Sequence, residues 1–172
     1  MPAKSRRYFL KAKEARDLLN DASKRLKIDI ERVFGGKVNV ELVEAESAQF
    51  ILLNGRPVLT RLADKTVPTL VFDEFVAAAP KVVVDMGAVP HVCNGANVMA
   101  PGIVRYEGEF GRGDFVVVAD VKYGRPLAIG EALYDVNEAK GVKQGVVVNT
   151  VHFVGDRLWS FIKQMQKESP ER

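Results

Sequence analysis

In 172 residues the chain has one cysteine, Cys93, two histidines, His91 and His152, and one tryptophan, Trp159. A single cysteine excludes an internal disulfide and leaves the redox compartment open. It also excludes a structural zinc site built on paired cysteines, since such a site draws about four ligands from clustered positions. His91 lies close to Cys93 in sequence, but a lone small thiol is more often a packed residue than a nucleophile or a ligand. There is no Gly-x-Ser-x-Gly elbow and no Gly-Lys-Ser/Thr phosphate loop. Acidic residues are scattered, with no pair set apart as general acid and base. The glycines at 108, 111 and 113 superficially suggest a nucleotide loop, yet Asp114 leads straight into Phe115-Val116-Val117-Val118. A phosphate cradle needs a helix N-terminus at that point, so a connecting turn is the better reading. No enzymatic activity, cofactor or metal is expected.

Long apolar runs are absent too. None approaches the roughly 20 residues that span a bilayer, so no membrane association is expected. The first seven residues carry charge with no apolar region behind them, which argues against a secretory signal. Cytoplasm is the default.

Charge is unevenly placed. Residues 1–80 carry 14 Lys/Arg against 11 Asp/Glu, and residues 81–172 carry 11 against 11, so the net +3 lies wholly in the first half. Within residues 1–37 the ratio is 11 to 5. Such an excess can supply sequence-independent phosphate contacts, or it can be an ordinary solvated helix face.

The first half reads as α+β. Ala12, Ala15, Leu18, Leu19, Ala22 and Leu26 mark one buried helical stripe, with Lys13, Arg16, Lys24 and Arg25 mostly off it. Val38, Val40 and Leu42 alternate as in a half-buried strand. Residues 49–53 and 57–62 flank Asn54-Gly55, a strong hairpin signal because both residue types tolerate the positive φ of a type I′ turn. Residues 73–79 form a short helix stopped by Pro80. The domain boundary is placed there, giving domains 1–79 and 80–172.

Beyond Pro80 strands dominate: 82–85, 98–105, 114–121, 127–132 and 146–151, followed by a turn at 154–157 and a last strand at 158–162. Residues 158–165 could instead form an amphipathic helix, but the preceding turn favours a strand. Short strands at this spacing predict a small barrel or sandwich rather than a parallel α/β sheet. The tail 166–172 is polar and expected to fray. Trp159 and Phe161 could stack on bases, although core packing is the commoner fate.

Residues 85–102 hold three glycines and two prolines among small residues, which excludes one regular helix or one long strand. Asp85-Met86-Gly87-Ala88, followed by Asn94-Gly95-Ala96-Asn97-Val98-Met99-Ala100-Pro101-Gly102-Ile103, resembles the signature of the PUA domain, named for pseudouridine synthases and archaeosine transglycosylases. Later pieces agree in order: Gly113-Asp114, Pro126-Leu127-Ala128-Ile129-Gly130, and Val151-His152-Phe153-Val154-Gly155-Asp156 before Leu158-Trp159. A smaller α+β domain ahead of this block makes the chain similar to the malignant-T-cell-amplified-sequence proteins and their archaeal relatives.

The resemblance implies a pre-PUA domain followed by a small, mostly-β PUA pseudo-barrel. It also implies a non-enzymatic RNA-binding role in translation initiation or recycling. RNA, either a tRNA acceptor end or small-subunit rRNA, would lie along Gly87, Asn94, Gly95, Ala96, Asn97, Val98, Met99, Pro101 and Gly102, with His152 and Trp159 nearby. The family pairs with the density-regulated protein, so a partner of that type is expected. Lys/Arg within residues 4–37 would add nonspecific affinity. A protein-interaction module, and an accessory factor for ribosome biogenesis or RNA modification, remain the alternatives.

Overall fold

The computed structural model describes residues 6–45 and 48–168. It divides into two compact units, Met1–Phe75 with Phe161–Arg172, and Val76–Ser160. The division falls inside the last helix, so the end of the chain groups with its beginning.

The first unit is built on a five-stranded antiparallel meander: β1 (Arg6–Phe9), β2 (Val40–Glu44), β3 (Gln49–Leu53), β4 (Arg56–Leu62) and β5 (Lys65–Pro68), in that spatial order. Helix α1 (Ala12–Leu26) follows β1 and buries Ala15, Leu19, Ala22 and Leu26 of the predicted stripe, while Ala12 is exposed and Leu18 half-buried. It is succeeded by the one-turn α2 (Ile30–Val33), where the Asp29 carboxylate accepts the Arg32 amide at 3.2 Å. Asn54 and Gly55 both hold positive φ, 49° and 82°, as the hairpin requires. Asn54 does more than turn the chain. Its Oδ1 accepts the Asn39 amide and its Nδ2 donates to the Lys37 carbonyl, tying the turn to the approach of β2. Helix α3 (Asp73–Ala78) closes the segment.

Two features of this unit escaped the sequence. β1 is a strand, and its arginines are engaged: Arg7 donates through Nε and Nη2 to both Glu41 oxygens (3.0 and 3.2 Å), and Arg6 lies 3.7 Å from Glu44. Phe161 stacks on Phe50 with ring centroids 4.8 Å apart, so one face of its ring is taken by packing inside the unit. Lys4 of the expected basic segment, and the tail residues 169–172, lie outside the described residues.

The second unit is a six-stranded curled sheet: β6 (Lys81–Val84), β7 (Val98–Met99), β8 (Ile103–Glu107), β9 (Phe115–Asp120), β10 (Pro126–Ala132) and β11 (Val146–Phe153), ordered β7-β11-β10-β9-β6-β8. Only β6 and β9 run parallel. One predicted strand, 98–105, is in fact two, separated by a 3-10 turn at Ala100–Gly102. Pro101 lacks the amide a continuous ladder needs, so the strand breaks there. Val82, Val84, Val98, Val116, Val118, Val147 and Val148 form the heart of the core with Phe110 and Leu127. Each such valine, fully buried, stabilises the fold by about 1.5–3 kcal/mol.

Helices α4 (Val89–Val92) and α5 (Val136–Lys140) belong to this unit, and α6 (Arg157–Glu168) starts in it. The sequence reading missed α5, although Asp135 and Glu138 form a full capping box across its start. It also assigned residues 158–162 to a strand, and this is corrected by α6. The Asp156 carboxylate accepts the Trp159 amide at 2.7 Å, capping the helix, and Leu158, Ile162 and Met165 are buried at helical spacing.

Candidate nucleic-acid interface

The signature residues come together at one edge of the second unit, and Asp85 is what joins them. Its backbone amide donates to the Gly102 carbonyl (2.9 Å), while its Oδ1 accepts the Ala88 amide (2.8 Å). The first and last pieces of the block are thereby clasped. A Cβ added to Gly102 would sit 3.1 Å from the Ala88 Cβ, so small residues on both sides are a packing requirement.

Pro90 sits in the first turn of α4, where its missing amide costs nothing. The helix ends in a Schellman pattern, with the Ala96 amide on the His91 carbonyl and the Gly95 amide on the Val92 carbonyl, both at 3.0 Å. Gly95 has φ +92°, and a Cβ there would lie 3.1 Å from the Phe153 ring. Conformation and space both demand glycine. A latch follows: Asn97 Oδ1 accepts the Thr150 amide (3.0 Å), and the Thr150 hydroxyl donates to the Ala96 carbonyl (2.9 Å). The chain then enters β7, which pairs with β11 through Val98–Val148 and Met99–Val146.

The expected contact residues separate into two groups. Gly87, Asn94, Ala96, Asn97, Met99 and Pro101 are exposed, and Gly95, Gly102 and Trp159 are half-buried. Val98 is 1% exposed and His152 0%, so neither side chain reaches a ligand on the surface, and both are corrected to supporting roles. Val98 belongs to the core cluster, reached from β7, which pairs with β11. His152 faces inward from β11, with Nδ1 2.9 Å from Asp156 Oδ2. The same oxygen accepts the Phe153 amide at 2.9 Å. Burial pushes the Asp156 carboxyl up, but the His152 hydrogen bond and charge, with the Trp159 and Phe153 amides, outweigh it and hold the group below its ordinary value. An ionised carboxylate only accepts, so His152 Nδ1 donates and its Nε2 is left buried without a partner.

Sequence reasoning therefore missed the positioning residues Asp85, Thr150, Phe153 and Asp156. Of these, Asp156 carried a readable signal, an N-cap residue before an apolar run. Met86, 40% exposed between Asp85 and Gly87, adds apolar surface to the same edge.

Burial raises the Cys93 thiol above its ordinary value, opposite to the shift that makes a reactive thiolate. Among the described residues no cluster of histidine, cysteine, aspartate and glutamate could hold a metal. Among them, too, no helix is long and apolar enough to cross a membrane.

Residues 80–154 match the PUA domain, and residues 6–72 match a domain of unknown function, DUF1947. An uncharacterized protein of Methanocaldococcus jannaschii is 33% identical over 162 residues, covering 91% of this chain and 96% of that one. Translation machinery-associated protein 20 of Saccharomyces cerevisiae is 31% identical over 140 residues, 77% of each chain. The crystal structure of a PUA domain from Aeropyrum pernix, a tartrate complex, superposes with a TM-score of 0.78 at 30% identity, covering 94% of this chain and 93% of that one.

Proposed function

This chain belongs to the family of translation machinery-associated protein 20 and its archaeal relatives, and from that premise we propose that it is a non-enzymatic, cytoplasmic RNA-binding protein of the translation machinery. Its target in this reading is a tRNA acceptor end or an element of small-subunit rRNA. One observation carries the proposal. The inner side of the signature edge is fully occupied by hydrogen bonds and packing, while its outer side exposes Gly87, Asn94, Ala96, Asn97, Met99 and Pro101 in one short stretch of chain. Small residues there let a nucleotide approach the backbone closely. Asn94 has an amide with both donor and acceptor capacity and no hydrogen bond to another described side chain, so it can read the edge of an unpaired base. Met99 supplies apolar surface for a base or ribose face.

Binding of full-length protein to tRNA, to tRNA trimmed of its 3′ end, and to a small-subunit rRNA fragment is the test, measured by gel shift over a salt series. Tight, salt-sensitive binding to one of the three supports the reading and identifies the target. Absence of binding to all of them at low salt overturns it.

A protein partner of the density-regulated type is a second, compatible reading for the first unit. Phe9, 67% exposed on the edge strand β1, is the observation that favours it, since a large bare apolar group on a sheet edge invites pairing. Purified candidate partner should bind wild type and lose affinity for Phe9→Ser.

A further inference from the structure

Beside the signature edge lies a groove of about 470 Å³. Its floor is apolar: Pro101 at one end, Val104 and Tyr106 from β8, and Val142 beyond α5. Its rim carries Arg105, Lys140 and Lys143. Val104 is 50% exposed, because the β6–β8 ladder skips it between the Val83–Arg105 and Val84–Ile103 pairs. Tyr106 is braced from behind, its ring tilted against Phe110 at 5.8 Å between centroids. β8 is also the terminal strand of its sheet, so one edge of its backbone has no strand neighbour.

The charges on the rim are available. Lys140 and Lys143 are exposed and make no ion pair among the described residues. Arg105 pairs with Glu107 at 2.9 Å, but both side chains are about half exposed, where an ion pair contributes little and exchanges readily. Glu138, the nearest carboxylate on α5, is taken up by the capping box and by Arg112. Three cations thus stand near two carboxylates, Glu107 and Glu138, around an apolar floor.

We propose that this groove is the phosphate grip of the second unit, taking single-stranded RNA with its phosphodiesters on Arg105, Lys140 and Lys143 and its sugar or base faces on Val104 and Tyr106. The inference rests on the RNA-binding reading above and places the electrostatic contribution away from residues 4–37. Continuity supports it. The 3-10 turn that ends the signature edge, Ala100–Gly102, supplies the first wall of the groove, so a strand leaving Met99 and Pro101 enters it without a break. Cations along a backbone track beside ring and aliphatic surface are what single strands require.

The experiment uses the full chain and a short fluorescein-labelled single-stranded RNA ending in CCA, titrated by anisotropy across a KCl series. Lys140→Ala/Lys143→Ala removes two exposed charges and is expected to fold normally. It should weaken binding about tenfold at low salt and reduce the slope of log K against log salt by about 1.4, roughly 0.7 for each lost phosphate contact. Lys13→Ala/Lys24→Ala, on the outer face of α1, removes the same charge elsewhere and should leave the slope unchanged. Equal slopes for wild type and the groove variant overturn the proposal while leaving RNA binding intact. Equal losses in both double variants also overturn it, since net charge alone would then explain the effect. A glutamate-rich peptide that binds wild type, fails on the groove variant and does not displace RNA would make the groove a protein site instead. If wild type binds no RNA at any salt, the RNA-binding reading falls first and the groove with it.

Discussion

The inner and outer sides of the signature edge share the stretch 85–102, the inner one joined by residues 152–159, and have opposite freedoms. On the inner side Gly95 abuts the Phe153 ring, Gly102 abuts Ala88, and Asp156 accepts from His152, Phe153 and Trp159. On the outer side Asn94, Met99 and Pro101 stand in solvent. A sequence signature therefore mixes residues kept by packing with residues free to touch a ligand. The mixture has a consequence for mutagenesis: an inner change lowers stability and binding together, whereas an outer change lowers binding alone.

The largest expected effect comes from deep in the inner side, at Gly130. A Cβ there would lie 2.2 Å from Val148 Cγ1 and 2.9 Å from the Asn149 carbonyl, at the point where the β10–β11 register shifts. Gly130→Ala is expected to cost about 3 kcal/mol, the upper part of the range for overpacking. That corresponds to a fall in Tm of roughly 6–12 °C for a chain of this size. Adding Val148→Ala relieves the side-chain clash but not the carbonyl contact, so chemical denaturation should show partial rescue only. Gly95→Ala comes next, at about 2 kcal/mol, combining a left-handed backbone with crowding against Phe153. RNA affinity should fall in step with stability in both variants. If Gly95→Ala loses affinity with its Tm unchanged, Gly95 belongs to the outer group and the division must be redrawn.

How much of this was legible in the sequence depends on how local the cause is. Asn54-Gly55 was read correctly because a two-residue turn is specified by the residues in it. The stripe of α1 was equally plain. β1 was not, because Arg6-Arg7-Tyr8-Phe9 shows no alternation, and the strand it pairs with, Glu41 to Glu44, lies about 35 positions away. The strand expected at 158–162 failed for a different reason. Leu-Trp-Ser-Phe-Ile fits a strand on residue type, and only Asp156 acting as cap, together with Met165, reveals the helical period. The site divides likewise. The ordered motifs located the edge, but Val98 is set by its pairing with β11 and His152 by Asp156, and neither contact shows in the motif itself. Totals of charge also misled: the basic first segment spends Arg6 and Arg7 on its own sheet, while residues 81–172, neutral in sum, leave Lys140 and Lys143 without an ion pair among the described residues.

Asp156 offers a pH test of the inner side. Its carboxyl is held below the ordinary value, so it contributes stability that is fully present above about pH 4, the unfolded value, and lost as pH falls through the lowered folded value. Asp156→Asn removes that titration while retaining an oxygen to cap Trp159. The variant should be less stable by about 1 kcal/mol at pH 7, in the range of a cap or a charge-assisted bond. The gap should close as the pH drops below 4. Glu74 and Asp120 are also held low, so total acid lability is shared, and the difference between wild type and variant isolates Asp156. A gap independent of pH between 7 and 3 would show that the carboxylate charge does not matter there.

The smallest structural effect, and the sharpest test of the division, is expected on the outer side. Asn94→Ala and Met99→Ala remove groups that touch solvent, so each should change stability by less than about 0.5 kcal/mol. RNA affinity should nonetheless fall about five- to tenfold, near 1–1.4 kcal/mol. Asn94 precedes the left-handed Gly95, and its loss leaves the Schellman bonds intact because those use backbone amides alone. Met99 keeps its ladder pairing with Val146 whatever its side chain. Measured side by side, the two variants separate a base-edge contact from an apolar one. Asn94→Ala should change preference among RNA sequences, and Met99→Ala should weaken all of them alike. Unchanged affinity in both, with wild-type Tm, would move the RNA off this edge altogether.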